Sequence, residues 1–307
     1  MASIPSPART RYTRSWLSRH SPQLALNGVM LVITLVFLIP LLVVISASFT
    51  SEQALTRNGY SLWPTEFSLD AYNYIFLDPT QILRSYGVTI SVTVIGTVFG
   101  LLIMSLLAYV LARHDFTWRR PLAFFVFFTM LFNGGLVPTY ILITQYLRLR
   151  NSLAVLILPY LVVPWFVFLL RTYFLTLPKE FIESAKLDGA NDWQIYAHIV
   201  MPLSTPALAT IGLFCILMFW NDWWLALLYI DEPRLYPLQY LLFAILRNAE
   251  FLSANSTASS VLTTVLPPLQ TTRMAMAVVA MGPIAIAFLA LQRYFIRGIT
   301  LGGIKGE

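Results

Sequence analysis

Charge is what this chain has least of. Asp, Glu, Lys and Arg supply 11% of its 307 residues, less than half the share of about 25% in soluble domains, while hydrophobic types reach 58%. So few charges cannot solubilise a surface of that size, which excludes an ordinary soluble chain and places most residues in lipid. Cysteine is nearly absent too. Cys215 stands alone inside an apolar run, so an internal disulfide, a CxxC redox pair and a thiolate zinc cluster are excluded, and it reads as an inert core thiol. The histidines His20, His114 and His198 are dispersed, so no metal site and no catalytic set is read from them. The pattern GxxxxGK[ST] is missing, so the chain has no such loop of its own to cradle nucleotide phosphates. The net charge is +6, but the basic residues lie between apolar runs and not in one tract. That is the pattern of membrane flanks, not of a nucleic-acid partner.

What is present is a series of long windows without any ionisable side chain. Such a side chain costs about 2.5 to 3.5 kcal/mol at the centre of an inserted helix, so these windows locate membrane spans. Six qualify: 21–51, 85–112, 121–147, 151–170, 199–221 and 274–292. Each can hold the roughly 20 residues needed to cross the hydrocarbon core. A seventh, 251–272, is rich in Ser and Thr and carries Pro267-Pro268; it is read as an extramembrane loop. With six spans both termini share a side. If that side is the cytoplasm, thirteen Lys and Arg lie inside and seven outside, which the positive-inside rule favours. The expected organisation is a cytoplasmic segment 1–20, a first transmembrane helix 21–51, an extracytoplasmic loop 52–84, a core domain 85–298 and a cytoplasmic tail 299–307. The core domain contains an inside loop at about 176–202 and an outside loop at 231–273.

The inside loop is the most specific stretch. Pro178 suits the start of a helix, with Glu180 and Glu183 near its positive end, and Gly189 supplies a permissive backbone for a sharp exit. Two short helices joined at Gly189 follow, with Phe181 and Ala185 on one face of the first and Trp193, Tyr196 and Val200 on one face of the second. Periodicity alone is satisfied by a surface hairpin capping the bundle.

The loop also resembles the EAA loop of ABC importer permeases: Glu-Ala-Ala, three residues, Gly, nine residues, Ile, one residue, Leu-Pro. Glu183, Ala185, Gly189, Ile199 and Pro202 match in register, while Ser184 and Met201 replace Ala and Leu. LFNGGLVPTY from Leu131, FWNDWW from Phe219, YPLQ from Tyr236 and the tail Gly302-Gly303-Ile304-Lys305-Gly306 are similar to MalG-like carbohydrate permeases, in the branch handling complex polysaccharides. The resemblance implies an all-α integral membrane protein with the six-helix type I importer fold and cytoplasmic termini, in the bacterial inner membrane. It implies a second permease subunit forming a heterodimer with this one, two ATPases that hold ATP and Mg, and an extracytoplasmic solute-binding protein, with no cofactor on this chain. ATPase coupling falls to Glu183, Ser184, Ala185, Asp188, Gly189, Ile199 and Pro202, and contact with the ATPase pair to Gly302, Gly303, Ile304, Lys305 and Gly306. The implied substrate is an oligosaccharide, acidic and alginate-like on one reading, with Asn133, Tyr140, Trp220, Asn221 and Asp222 as its candidate path.

Two alternatives stand beside this. A permease for another solute class would share the loop. An ion-coupled secondary transporter would need a mid-membrane carboxylate or histidine relay, which the six windows lack; Asp222 falls near the outer boundary. Among smaller features, Gly96 and Gly100 form a GxxxG suited to close helix packing within the subunit. Asn133-Gly134-Gly135 with Pro138 interrupts the third window, as a cavity wall or a packing kink. Trp220, Trp223 and Trp224 fit an interfacial belt better than sugar stacking. The outside pair Arg148 and Arg150 runs against the positive-inside bias; it is available to attract carboxylates, although contact with lipid is the commoner explanation of such a pair.

Overall fold

A computed structural model describes residues 16–254 and 268–302. These are helical except for turns, short connections and one isolated bridge between Thr50 and Phe67. The order is α1 (Trp16–Ser48), α2 (Glu52–Asn58), α3 (Asp70–Ile75), α4 (Pro79–Ala112), α5 (Arg119–Leu131) and α6 (Leu136–Ile141), which widens into a π turn over Leu142–Tyr146. Two 3-10 turns, Leu153–Leu156 and Leu158–Tyr160, lead to α7 (Pro164–Phe174), α8 (Lys179–Leu187) and α9 (Asp192–Ile195). A π turn over Tyr196–Val200 joins α9 to α10 (Met201–Leu203); then come α11 (Thr205–Trp220), α12 (Trp224–Tyr229), α13 (Leu238–Ala254) and α14 (Leu269–Gly302).

Among the described residues, α1, α4 and α14 contain helices long and apolar enough to cross a bilayer, and three bent pairs bring the count of spans to as many as six. The bends depart from straight crossings. The pair α5 and α6 changes direction by 111°, the 3-10 pair and α7 by 50°, and α9–α10 and α11 by 79°. Each bend has a local cause. Gly135 takes φ +86°, which a Cβ disfavours, and its N–H is held by Asn133 Oδ1 at 2.9 Å. Val163, just before Pro164, is extended at φ −101° and ψ 109°, as a residue preceding proline must be. Pro202 and Pro206 lack the N–H that would continue the ladder, and the helix widens before the first and turns at Ser204 before the second.

The core is centred on α4, which packs against α7 and α11 through Met104, Ala108, Leu111, Val167, Leu170, Ile211 and Cys215, all buried. Lipid tails are as apolar as these side chains, so close van der Waals fit carries the packing. Gly96 provides it: a Cβ there would lie 2.5 Å from the ring of Phe219. A second cluster joins Trp220 to Leu238, Leu241, Leu242, Ala275 and Met276 on α13 and α14. By contrast α1 turns its apolar side chains outward, with Phe37 77% exposed. That suits a surface bathed in hydrocarbon.

With 34 residues, α4 is about 51 Å long at 1.5 Å per residue. One end follows directly on α3, which with α2 packs on α14, and the other meets the α8–α9 hairpin. At the first end Glu52 caps α14, its carboxylate accepting from Gln270 N at 3.0 Å, Thr271 N at 2.9 Å and Thr271 Oγ1 at 2.9 Å. Two segments read from the sequence as loops between spans contain helix. The segment 52–84 holds two short helices and the start of α4, and much of 231–273 is helix α13. The amphipathic stretch Leu238–Ala254 packs one face on α4 and α14, which gives it a partner that a solvated loop would lack. The expected loop centre, around Asn255, lies outside the described residues, as do the N-terminal fifteen residues and the tail beyond Gly302.

Candidate functional site

The hairpin between α7 and α11 is built by its own end signals. Pro178 stands at the N-cap of α8, Glu180 in its first turn and Lys186 in its last, each charge at the helix end that favours it. At the C-terminus Ala190 N donates to Ala185 O at 2.9 Å and Gly189 N to Lys186 O at 3.1 Å. This is the Schellman pattern, with Gly189 as the left-handed residue at φ +82°. Asn191 and Gln194 then form a capping box, Gln194 N donating to Asn191 Oδ1 and Asn191 N to Gln194 Oε1, both at 2.9 Å. Stop and start signals on either side of one glycine set the angle between α8 and α9.

A latch holds the hairpin to the end of α4. Arg113 grips Asp115 with both arms of its guanidinium fork and pairs with Asp192 of α9, while Lys186 of α8 reaches Asp115 at 3.0 Å. One arginine and one aspartate thus connect both helices of the hairpin to α4. Hydrogen bonding from Arg113 holds the Asp115 carboxyl well below the usual carboxylate range, against the opposing effect of burial. Beneath the ion pairs, Tyr196 is buried with its hydroxyl 2.7 Å from Ser105 Oγ and its ring 5.3 Å from that of Tyr109. Arg171 Nε donates to Leu111 O at 3.1 Å. Between α8 and the ends of α4 and α7 lies a cavity of about 300 Å³, lined in part by Tyr109, Phe174, Ile182 and Glu183.

The hairpin's outer surface is open. Glu183, Ser184, Asp188, Gly189 and Pro202 are exposed, and Ala185 and Ile199 are half-buried. Of the helical faces read from the sequence, Tyr196 and Val200 point into the core, but Phe181 and Trp193 are exposed, and Leu187 at the tip is 89% exposed. Large apolar side chains thus stand bare on an otherwise polar hairpin.

The five path candidates are not gathered in one place by contacts within this chain. Asn133 is exposed at the break before α6, and Tyr140 stacks on Tyr229 at 5.6 Å. Asn221 is exposed and accepts from Gln239 at 3.5 Å, while Tyr160 donates to Asp222 at 3.3 Å. Trp220 is 5% exposed and donates to Ala280 O at 3.1 Å, so it packs between helices and has no open face. Of Arg148 and Arg150, the second is engaged with Asp231 at 2.8 Å, which leaves it less available to a carboxylate ligand. Asn151, at φ +53°, ties the same corner by accepting from Asp231 N at 2.6 Å. Gly302 ends α14, and Gly303, Ile304, Lys305 and Gly306 lie outside the described residues. The latch residues Arg113, Asp115, Lys186 and Asp192 escaped the sequence reading. Their only signal there was a cluster of charge beside the ends of apolar windows.

Comparison with known proteins agrees with this architecture. Residues 104–301 match the family described as "Binding-protein-dependent transport system inner membrane component". The chain is 40% identical to the polygalacturonan/rhamnogalacturonan transport system permease protein YtcP of Bacillus subtilis, over 91% of this chain and 96% of that one. It is 32% identical to the arabinooligosaccharides transport system permease protein AraQ of Halalkalibacterium halodurans, over 89% and 93%. A solved bacterial ABC transporter involved in the import of the acidic polysaccharide alginate contains a chain that superposes with a TM-score of 0.74 at 29% identity, covering 94% of this chain and 100% of that one. The matched region takes in the last turns of α4, the latch, the hairpin and nearly all of α14, and the chain belongs to the binding-protein-dependent inner membrane components, the multi-pass permease subunits of ABC importers.

Proposed function

We propose that this chain imports acidic oligosaccharides, and that the α8–α9 hairpin is the piece through which a partner ATPase drives it. The observation that carries the second half is the combination of a bare tip, Leu187 with Glu183 and Asp188 beside it, and a rigid mounting through Arg113 and Asp115 to α4. A partner that moves the hairpin moves α4, and with it the packed α4–α7–α11 core. In this reading the hairpin and both termini are cytoplasmic, and the end bearing α2 and α3 faces the solute-binding protein. A second permease completes the passage. ATP and Mg reside on the two ATPases, and this chain hydrolyses nothing itself.

The substrate class draws on the relatives. One is named for polygalacturonan and rhamnogalacturonan, and galacturonan is a polymer of a sugar acid; the solved neighbour imports an acidic polysaccharide. The arabinooligosaccharide relative supports the oligomeric nature of the cargo but not its charge.

The test is ATP hydrolysis by the complete reconstituted importer, with binding protein supplied with galacturonate oligomers or neutral maltodextrins. Stimulation should be greater with the uronate; equal or greater stimulation by the neutral sugar overturns the acidic assignment. Labelling a cysteine placed at Asn191 from the cytoplasmic side checks the orientation, and an external Asn191 removes the coupling role.

A further inference from the structure

The bare apolar face of α1 runs from Leu26 to Ile45, about 30 Å at 1.5 Å per residue, which equals the thickness of the hydrocarbon core. No ionisable residue interrupts it. Ser46, Ser48 and Thr50 follow at once and are buried against protein, so the bilayer boundary on the α2–α3 side lies close to Ile45. Phe49 stands one helical turn further, about 6 Å along the same axis. The headgroup layer on each side of the core is about 5 to 7 Å deep.

An arm of the chain returns to that level. After α2 the backbone turns at Gly59, φ +73°, passes through Tyr60-Ser61-Leu62-Trp63-Pro64 and comes back beside the end of α1. Ser51 N donates to Glu66 O and Ser68 N to Phe49 O, both at 2.9 Å, on either side of the Thr50–Phe67 bridge. The Phe67 ring stacks on Phe49 at 5.7 Å, Phe49 stacks on Tyr72 at 5.0 Å, and the Tyr72 hydroxyl lies 2.9 Å from Ser48 Oγ. These ties hold the base of the arm at the depth of Phe49. Its outer surface is nevertheless bare: Trp63 is 82% exposed and Phe67 70%, with Tyr60 and Leu62 exposed beside them. Between Gly59 and Leu69 the sequence carries one charge, Glu66, whose carboxylate accepts from Ser51 Oγ at 2.9 Å.

A contiguous patch of large rings is unfavourable in water, and hydrocarbon would strand the irregular backbone of the arm without hydrogen-bond partners. The headgroup layer suits both. Amphipathic rings collect there because one end is apolar and the other wet, and water reaches the backbone. Depth and continuity point the same way, since the arm is tied to the end of the helix whose apolar side chains face lipid.

We infer that residues 59–69 form a membrane-interface anchor, with Trp63 and Phe67 seated among the lipid headgroups of the leaflet opposite the α8–α9 hairpin, fixing the depth of α1. The inference is independent of the substrate.

The experiment places a nitrobenzoxadiazole label on Trp63→Cys in the complete importer; Cys215 is buried, and cysteines of the other subunits are replaced. The complex is reconstituted in phosphatidylcholine vesicles doped with lipid carrying a nitroxide on the headgroup or midway along the acyl chain. The label should lose more fluorescence to the headgroup nitroxide, with the order reversed for Val36→Cys in the middle of the bare face of α1, and addition of the binding protein should change neither. Tyr60→Cys should repeat the Trp63→Cys pattern. As a measurement without a label, Trp63→Phe should remove part of the tryptophan emission that headgroup nitroxide quenches. Quenching by aqueous iodide and by neither lipid makes the arm a solvated loop and refutes the anchor. Protection from both iodide and lipid assigns the face to a second permease, and protection that arises only with the binding protein makes it a docking surface for that protein; either result also refutes it.

Discussion

Removing the Asp115 carboxylate should loosen the hairpin without unfolding the bundle. Asp115 accepts from both arms of Arg113 and from Lys186, with side chains 50%, 21% and 45% exposed, so water screens these pairs in part. Partly exposed ion pairs contribute about 0.2 to 1 kcal/mol each, and two of them, one bidentate, make about 1 to 2 kcal/mol for Asp115→Asn. That loss raises the population of a detached hairpin by a factor of about 5 to 30. The buried Tyr196–Ser105 contact and the Tyr109 ring remain, so global stability should change little. Hydrogen exchange of the backbone amides between Lys179 and Val200 should accelerate by that factor, while α4 and α11 exchange as before. In the reconstituted importer, sugar moved per ATP hydrolysed should fall even where hydrolysis persists, because a loosened hairpin absorbs motion that otherwise reaches α4. The pH dependence has a definite sign. A carboxyl held below its ordinary value stabilises the folded form at neutral pH, and its contribution declines only as pH falls below the unfolded-state value of about 4 toward the depressed folded one. Between pH 7 and 5 the latch should therefore be constant, whereas high salt should weaken it. Unchanged exchange across the hairpin together with an unchanged sugar-to-ATP ratio would refute the latch.

At Gly189 a Cβ meets nothing within 4 Å, so only the φ of +82° resists substitution; Gly189→Val should cost about 1 to 2 kcal/mol and depress uptake, with Gly189→Asn milder because asparagine tolerates this region. Membrane insertion of both variants should be normal by immunoblot, and full uptake by Gly189→Val would count against a defined hairpin angle. Gly96→Ala drives a methyl into the Phe219 ring and should lower stability by about 1 to 3 kcal/mol, with Phe219→Leu in the same chain restoring much of the thermal midpoint; an additive double mutant would disprove the contact. Glu52→Gln removes a charged acceptor from the start of α14 and should cost about 1 kcal/mol, seen as faster exchange of the Gln270 and Thr271 amides. Protection equal to the parent's would show that the cap is idle.

Much of the architecture was legible because the physics behind it is local. An unpaired charge is expensive in hydrocarbon, so the charge-free windows find the apolar segments of α1, α4 and α14 and the three broken spans. Gly189 was legible as a turn because few other residues tolerate a positive φ, and the Asn133-Gly134-Gly135 interruption for the same reason. The GxxxG was legible as intramolecular packing because a bare backbone invites a close neighbour, and Phe219 is that neighbour. The loop around Glu183 pointed to the family through its resemblance to the EAA motif, with Glu183, Ala185, Gly189, Ile199 and Pro202 in register.

Tertiary structure decided what depends on direction and on partners distant in the chain. Arg113 meets Asp192 and Asp115 meets Lys186 only after α4, α7 and α11 have packed, and no local spacing relates residues more than seventy positions apart. Trp220 and Trp223 sit three residues apart in one motif, yet helix rotation and the turn at Asn221 bury the first against α14 and leave the second open to a cleft. Arg150 read as a free cation until Asp231 was found across the fold. Composition and periodicity report the solvent each segment needs, whereas the partner of a side chain is set by how the helices rotate and bend against one another.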